Sequence, residues 1–300
     1  MRVILVPLVG DDDDGVGLAA AYAVAEPFRA HIDGMFMRPD PVEAIMSLEG
    51  EATPELIDTV AQASGATWDA RAKLARQSFD AARAAADAAL ADQPTGTDSV
   101  TAGWREIAGG AEVVLPAEGR LSDLIVFAGI HSGGSAHRRR MFEVALMYAT
   151  RPLLLVPEKA PETTGPAAIG ATSIGPKSIG KVIALAWNGS AEAARAVAGA
   201  LPLLHNADEV HILTAASART DVERADGLAR YFGWQGLSCE RHAMYPTSQV
   251  GPALLAKARE LRADLLVMGG YGRSRVSELV FGGVTRTVLG QYHLPILLAH

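Results

Sequence analysis

The chain has 300 residues, which at about 150 residues per domain suggests two domains, and 49% of its residues are hydrophobic while 20% are charged. This composition supplies the apolar side chains of a folded core and excludes an intrinsically disordered chain. The net charge of −7 argues against a protein that binds DNA or RNA through clustered Lys and Arg. Cys239 is the only cysteine, so an intrachain disulfide and a cysteine-based zinc site are excluded, as fits a reducing cytosol.

The amino terminus predicts a short buried strand, Val3–Gly10, followed by a helix, Gly17–Glu26. The apolar run is shorter than the h-region of a secretory signal peptide. No apolar stretch in the sequence reaches the roughly 18 residues of a membrane span. We therefore expect a cytoplasmic protein that has neither a membrane nor a nucleic acid as its partner.

Two charged runs lie in the first half of the chain. Asp11–Asp14 follow the first strand, and Arg138–Arg140 follow His137. The carboxylates suit a divalent metal ion, and the basic run suits an anion. Neighbouring aspartates on one loop rarely converge on one ion, however. The sequence therefore favours a solvated acidic loop and a solvated basic turn, and we assign no metal ligand to either.

Residues 158–180 are rich in Pro, Gly, Ala, Thr and Ser without apolar periodicity, which is typical of a linker. The linker separates a first domain, residues 1–157, from a second domain, residues 181–300. In the second domain, apolar runs alternate with helical patterns, as in a parallel sheet that is covered on both faces. Its predicted elements are strand 182–187, helix 191–203, strand 209–215, helix 220–233, strand 237–243, helix 248–261, strand 264–269, helix 283–290 and strand 294–299.

The same landmarks occur in the same order in both halves, which predicts a tandem duplication. The corresponding pairs are Val3–Gly10 with Val182–Gly189, Ser122–Gly129 with Ala263–Gly270, and Pro152–Pro157 with Pro295–His300. The predicted fold class is α/β, with two tandem doubly wound domains. Each domain is expected to be an open, mostly parallel five-stranded sheet with helices on both faces, and its ligands should bind beyond the carboxyl ends of the strands.

The first half contains an insert. Val3 and Val182 are 179 residues apart, whereas Asp123 and Asp264 are 141 apart, so the first half carries 38 additional residues between these landmarks. We place them near residues 37–68, where Pro and Gly punctuate two short helical patterns. Such an insert covers a neighbour or closes a cleft, or else it is a passive surface elaboration, and the sequence leaves both alternatives open.

The most specific pattern is a set of glycines after the fourth strand of the second half. Gly269 and Gly272 follow the strand, and Gly282 and Gly283 open the next helix. Glycine lets the backbone approach a ligand, and a helix N-terminus offers unpaired amides and a partial positive charge that suit phosphate. The alternative is a tight turn that binds nothing. Side chains nearby that can add charge-assisted hydrogen bonds are Arg273, Ser274, Thr285 and Arg286.

In this setting the glycine pattern resembles that of the universal stress proteins. ATP-binding members of that family carry Gly-x2-Gly-x9-Gly and then Ser or Thr after the fourth strand, and Gly269, Gly272 and Gly282 match the three glycines. The resemblance is strong over residues 181–300 and weak over residues 1–157, as in a tandem universal stress protein. It implies that the second domain binds an adenine nucleotide, ATP before others, with or without Mg²⁺.

Two positions depart from the family pattern. Gly283 stands where the family has Ser or Thr, and Asn188 stands where the family has an acidic residue at the end of the first strand. Asn still supplies a donor and an acceptor to a nucleoside. The resemblance implies that Ala186 and Trp187 flank the adenine, although Trp187 is equally suited to fill the gap between sheet and helix. The residues assigned to the site are Ala186, Trp187, Asn188, Gly189, Ile212, Met268, Gly269, Gly272, Arg273, Ser274, Gly282, Gly283, Val284 and Thr285, with Leu213 beside Ile212 in the pocket floor.

The first half lacks the glycines of the helix entrance, because no glycine occurs from Ala136 to Thr150. The carboxylates of Asp11–Asp14 would also repel a triphosphate. We predict that the first domain is a pseudo-dimer partner of the second and not another nucleotide site. Two chains could pair further as a homodimer, and the sequence does not identify a regulatory protein partner.

No catalytic arrangement is evident from the sequence. It contains no Gly-x-Ser-x-Gly elbow and no HExxH or i, i+4 histidine pairing. We predict a regulatory, nucleotide-binding stress-response protein. One alternative is an enzyme that hydrolyses ATP or transfers a phosphoryl or adenylyl group, using Arg273 and Arg286. The other is an interaction module whose pocket is vestigial. The histidines that we read as structural are His205, His211, His242, His293 and His300.

Overall fold

The fold is that of a computed structural model. It describes residues 1–38, 54–96, 98–130, 135–157, 178–216, 218–246, 249–270 and 283–300, with the backbone alone for residues 54–64. The predicted linker and the first part of the predicted insert therefore lie largely outside the described residues. In the described part of the chain, no helix combines the length and the apolar character that crossing a membrane requires.

The described residues form strands and helices that alternate along the chain. The strands are β1 (Val3–Leu8), β2 (His31–Arg38), β3 (Ala89–Leu90), β4 (Thr101–Ala108), β5 (Leu124–Ala128), β6 (Leu153–Val156), β7 (Val182–Ala186), β8 (Glu209–Ala215), β9 (Glu240–Met244), β10 (Leu265–Gly269) and β11 (Ile296–Ala299). The helices are α1 (Asp13–Ala25), α2 (Pro54–Ala85), α3 (Ala111–Gly119), α4 (Ala136–Tyr148), α5 (Ala191–Leu204), α6 (Arg219–Trp234), α7 (Val250–Glu260) and α8 (Gly283–Gln291).

Eleven described strands form one continuous sheet in the order β3-β4-β2-β1-β5-β6-β11-β10-β7-β8-β9. Neighbouring strands are parallel except β6 and β11, which pair antiparallel with Leu154 opposite Leu297. The predicted α/β class, with its mostly parallel sheet, is confirmed. The strand count is corrected, because β3 adds a two-residue strand at the outer edge of the first half. The two sheets expected to be separate are also joined through β6 and β11.

Helices cover both faces of the sheet, as a doubly wound fold requires. Side chains from α1, α2, α5 and α6 share one buried apolar cluster, and side chains from α3, α4, α7 and α8 share the other. Successive strand residues alternate between these clusters, because side chains along a strand point to opposite faces in turn. In β7, for example, Ile183 and Leu185 belong to the first cluster and Ala184 belongs to the second.

The elements predicted for residues 182–299 are all present, with ends that differ by at most three residues. The first half departs more from the prediction. The helix after β1 begins at Asp13, within the acidic run, and residues 54–85 form one helix of 32 residues where part of a two-helix insert was expected. A Gly in an exposed helical pattern, here Gly65, weakens a helix without ending it, so it was a poor guide to a boundary.

The two halves share backbone details at the start of their first strands. Asp123 accepts hydrogen bonds from the amides of Arg2 and Val3, and Asp264 accepts hydrogen bonds from the amides of residues 180–182 at 3.0 Å each. In each half an aspartate that precedes the fourth long strand thus satisfies amides that would otherwise lie without a partner at the start of the first strand.

Candidate functional site

A cavity of about 240 Å³ opens at the carboxyl ends of β7 and β10. In the second half the strand order is β11-β10-β7-β8-β9, so the chain leaves β7 toward β8 on one side and later returns to β10 on the other. Ligands of open α/β sheets bind at such a switch point. The cavity is lined by Ala186, Trp187, Asn188, Ser190, Glu192, Ala193, Leu213, Ala215, Val250, Leu254, Met268, Gly269, Gly283, Val284 and Thr285.

The turn from β7 to α5 forms one wall. Gly189 has a φ of +74°, a left-handed conformation that glycine adopts without strain. Oδ1 of Asn188 accepts a hydrogen bond from the amide of Ser190 at 3.0 Å, and Oγ of Ser190 accepts one from the amide of Ala193 at 3.1 Å. These bonds cap α5 and hold its first turn against the cavity. Gly189 shapes the turn but is not among the residues that line the cavity.

Trp187 lines the cavity and is fixed at both its backbone and its ring. Its amide donates to the carbonyl of Leu213 at 2.8 Å, and its indole Nε1 donates to the carbonyl of Arg224 at 3.1 Å. The second bond ties the ring edge to α6, and the ring also packs beside the apolar cluster on that side of the sheet. Trp187 therefore fills the gap between sheet and helix and also contributes surface to the cavity.

The floor of the cavity is apolar and comes from strands β8 and β10 and from helix α7. Leu213, Met268 and Leu254 are buried there. Ile212, which the sequence also assigned to the floor, lies on the opposite face of β8 in the cluster that contacts α6. Adjacent residues of a strand point to opposite faces, and Leu213 is the one of the two that shares a face with Leu254 and Met268 of the cavity floor.

The first turn of α8 forms the wall opposite α5. Gly283, Val284 and Thr285, which the sequence analysis assigned to the site, line the cavity there. Gly269 lets β10 approach α5 closely, because a Cβ on Gly269 would lie 2.6 Å from the amide nitrogen of Ala193. Arg286 is exposed and is not a lining residue among those described. Four further residues assigned from the sequence lie outside the described residues, namely Gly272, Arg273, Ser274 and Gly282.

Glu192 brings a charge into the cavity that the sequence analysis did not assign. It lies in the first turn of α5 and forms an ion pair with Arg195 at 3.3 Å. Hydrogen bonds from its own amide and from Ser190 lower the pKa of its carboxyl, so Glu192 is ionised at neutral pH. Its position just after the helix cap at the end of β7 was the available signal. The other lining residues missed from the sequence are Ser190, Ala193, Ala215, Val250 and Leu254.

The matching place in the first half, at the end of β1, contains the chain's own charges. The guanidinium of Arg138 donates hydrogen bonds to the carboxylates of Asp14, at 2.8 Å, and Asp11. The carboxylate of Asp14 also accepts hydrogen bonds from the amides of Val9 and Gly10. The prediction that both charged runs are solvated is wrong for Asp14 and Arg138, which are buried. A helix turn, rather than a loop, carries Asp14 inward to meet Arg138.

Fold and cavity together define a doubly wound α/β protein with a candidate ligand site at its switch point. Residues 246–300 match the family model described as the universal stress protein family. A solved universal stress protein from Archaeoglobus fulgidus DSM 4304 is 15% identical with a TM-score of 0.64, and the match covers 99% of this chain and 97% of that chain. The family match in residues 246–300 confirms the resemblance to universal stress proteins, and the structural match shows the same fold along the whole chain.

A second solved structure gives the same fold without adding a function. A protein of unknown function from Pseudomonas aeruginosa PAO1 is 15% identical with a TM-score of 0.53, and the match covers 100% of this chain and 92% of that chain. No curated protein matches the sequence. At this identity the structural likeness speaks for the fold, and the ligand has to be argued from the cavity.

Proposed function

We propose that the chain binds one adenine nucleotide, ATP before others, in the cavity at the ends of β7 and β10, and that it acts as a regulatory stress-response protein rather than as a catalyst. The observation that carries the proposal is the agreement between the residues assigned from the sequence and the residues that line the cavity. The residues assigned from the glycine pattern and the resemblance include Trp187, Met268, Gly269 and Thr285, and these line the cavity.

The apolar end of the cavity suits a flat base. Leu213, Leu254 and Met268 supply apolar contact, and Trp187 supplies an aromatic ring held in place by its bond to Arg224. Small-molecule sites are typically lined mainly by such side chains, with a few polar groups that fix orientation. Asn188 is the polar group at the end of β7, and its amide nitrogen remains a donor for a ribose or base oxygen while Oδ1 accepts the amide of Ser190.

The phosphates would lie toward the first turns of α5 and α8. Helix N-termini carry a partial positive charge and amides that lack a helical partner, and both features favour phosphate oxygens. Glu192 opposes this, since its ionised carboxylate lies in the same cavity. A divalent cation would offset the repulsion between that carboxylate and a polyphosphate, so we propose that ATP binds with Mg²⁺.

The first domain serves as an internal partner in this proposal. Its sheet pairs with that of the second domain through β6 and β11, and the apolar helices of both halves share the same two clusters. The end of β1 is taken up by the ion pair of Asp14 with Arg138. The stoichiometry expected is therefore one nucleotide per chain, within a pseudo-dimer of residues 1–157 and 181–300, in the cytoplasm.

A second candidate is an interaction module whose pocket no longer binds a nucleotide. The observations that favour it are Gly283, which lacks the hydroxyl of the family pattern, and Glu192, whose charge faces the proposed phosphate end. An enzyme of phosphoryl transfer has less support, because it needs positioned cations, and Arg286, the described one of the two arginines named for that role, is exposed and is not a lining residue.

Gentle purification followed by mass spectrometry of the released small molecules distinguishes these candidates. The proposed function predicts a retained adenine nucleotide and saturable heat in a calorimetric titration with ATP and Mg²⁺. A vestigial pocket predicts neither retained nucleotide nor saturation at millimolar ATP. Steady release of ADP or AMP above the buffer background would instead indicate an enzyme.

A further inference from the structure

Three side chains that bind metals well converge on strands β8 and β9. They are His211 of β8, with Glu240 and His242 of β9. His211 is opposite Glu240 in the strand pairing, and His242 is opposite Leu213, so the three side chains share one face of the sheet. Glu240 and His242 follow His211 in the chain by 29 and 31 residues, and the pairing of β8 with β9 brings the three side chains together.

The spacing of the three potential ligand atoms is close to that of tetrahedral coordination around a metal ion. Nδ1 of His211 is 3.1 Å from Nε2 of His242 and 3.5 Å from a carboxylate oxygen of Glu240. Nε2 of His242 is 3.8 Å from the same oxygen of Glu240. Tetrahedral bonds of about 2.0–2.2 Å place neighbouring ligand atoms roughly 3.3 Å apart. An ion could therefore be bound with shifts of a few tenths of an ångström.

A fourth residue holds the buried histidine in the orientation that a ligand needs. Nε2 of His211 lies 3.2 Å from a carboxylate oxygen of Glu209. A proton on that nitrogen donates to Glu209 and leaves Nδ1 with its lone pair free for a metal. Carboxylate–histidine–metal arrangements of this kind fix the tautomer and raise the basicity of the ligand.

Burial and charge also fit a specific site open to solvent. His211 is buried and His242 is half-buried, whereas Glu209 and Glu240 are exposed, which gives an ion a path from water. Two carboxylates with two neutral imidazoles balance a divalent charge. The cationic side chain of α7 that acts on His242 is Lys257, and this ammonium is paired with Glu260 at 2.7 Å.

We propose that His211, His242 and Glu240 form a binding site for one divalent transition metal ion of the zinc class, with Glu209 as the residue that positions His211. Two nitrogens and one carboxylate oxygen are a typical zinc set, with a fourth position for water. The site adjoins the nucleotide cavity, because His242 is opposite Leu213 of the cavity floor, but His211, Glu240 and His242 are not among the residues that line the cavity.

The test uses the full chain after treatment with a chelator and its removal. Calorimetric titration with ZnCl₂ should show one ion per chain, and Zn²⁺ should raise the melting temperature because it binds the folded state. Co²⁺ as a spectroscopic probe should give the strong visible absorption of a tetrahedral rather than an octahedral site.

Variants separate this site from adventitious binding. His242→Gln and Glu240→Gln should abolish or strongly weaken Zn²⁺ binding, and both side chains reach the surface, so the fold should persist by circular dichroism. Glu209→Gln should weaken binding about 10- to 100-fold through the orientation of His211. His205→Gln changes an exposed histidine outside the cluster and should leave the Zn²⁺ affinity unchanged. No saturable Zn²⁺ binding, or equal affinity in the His242→Gln and wild-type chains, would overturn the proposal.

Discussion

Asp14 and Arg138 form a buried ion pair in the first half of the chain, with Nη2 of Arg138 2.8 Å from Oδ1 of Asp14. The exposed fractions of the two residues are 0% and 1%. Burial raises the pKa of Asp14 because its charged form loses water, and the guanidinium of Arg138 acts in the opposite direction. The pair lies at the end of β1, where the second half has its cavity at the end of β7. In the first half, this ion pair therefore occupies the position that corresponds to the open cavity of the second half.

Arg138→Met should destabilise the fold by about 3–5 kcal/mol, because it leaves the Asp14 carboxylate buried without its partner. Chemical denaturation followed by circular dichroism measures the loss. The double variant Asp14→Asn/Arg138→Met should recover part of it, since no uncompensated charge then remains.

Arg140→Met is the matched control on the same helix. Arg140 pairs with Glu112 at 2.9 Å at the surface, so its loss should cost at most about 1 kcal/mol. Equal effects of Arg138→Met and Arg140→Met would show that the buried pair does not carry the stability assigned to it.

Local sequence patterns predicted most of the strands and helices of the second half. They did not predict side-chain contacts between residues that are far apart in the chain. β7, β10 and β11 are apolar runs with a glycine or proline at or near one end, so their positions follow from the sequence alone. Trp187 was assigned to the site through the resemblance to universal stress proteins, and Gly269 through the glycine pattern that follows the strand. The contact of Arg138 with Asp14 spans 124 residues, and the approach of His242 to His211 depends on strand register. Neither contact leaves a spacing signal in a single sequence.

Gly283→Ser should strengthen ATP binding. No described atom lies within 4 Å of a Cβ placed on Gly283, so the side chain fits, and it restores the hydroxyl that the universal stress protein pattern has there. A hydrogen bond to a charged phosphate contributes about 1.5–3 kcal/mol, which corresponds to about 10-fold or more in Kd. Calorimetric titration measures the change.

Gly290→Ser at the other end of α8 is the control. A Cβ on Gly290 also meets no described atom within 4 Å, but this residue is not part of the cavity lining. Its ATP affinity should equal that of the wild type. The phosphates would have to lie away from α8 if Gly283→Ser changed the affinity no more than Gly290→Ser does.

Glu192→Gln should strengthen the binding of ATP in the absence of Mg²⁺ by about 5-fold or more, because it removes an ionised carboxylate from the cavity (roughly 1 kcal/mol or more of repulsion). Adenosine, which has no phosphate, should bind both forms equally. Glu112→Gln, another glutamate in a helix's first turn, is the matched control. An equal gain for adenosine and ATP would contradict a phosphate position near Glu192.

His137 should make the fold less stable in mild acid. Its ring contacts Trp68, and burial together with the nearby Arg71 and Arg138 lowers the pKa of its imidazole. The unfolded chain therefore binds the proton more readily, so the stability present above about pH 6.5 is lost as the pH falls through the folded-state pKa. His137→Gln should reduce the difference in unfolding midpoint between about pH 7.5 and about pH 5.5. His205→Gln, at an exposed histidine, should preserve the wild-type difference.

The number and position of nucleotide sites test the central claim most directly. Calorimetric titration of Mg²⁺ and ATP into the chain should give one site per chain. Ala215→Phe, which fills the cavity from β8, should abolish binding, and Ala243→Phe, the same change at an exposed position of β9, should leave it unchanged. Two sites per chain, or wild-type affinity in the Ala215→Phe chain, would contradict a single adenine nucleotide site at the ends of β7 and β10.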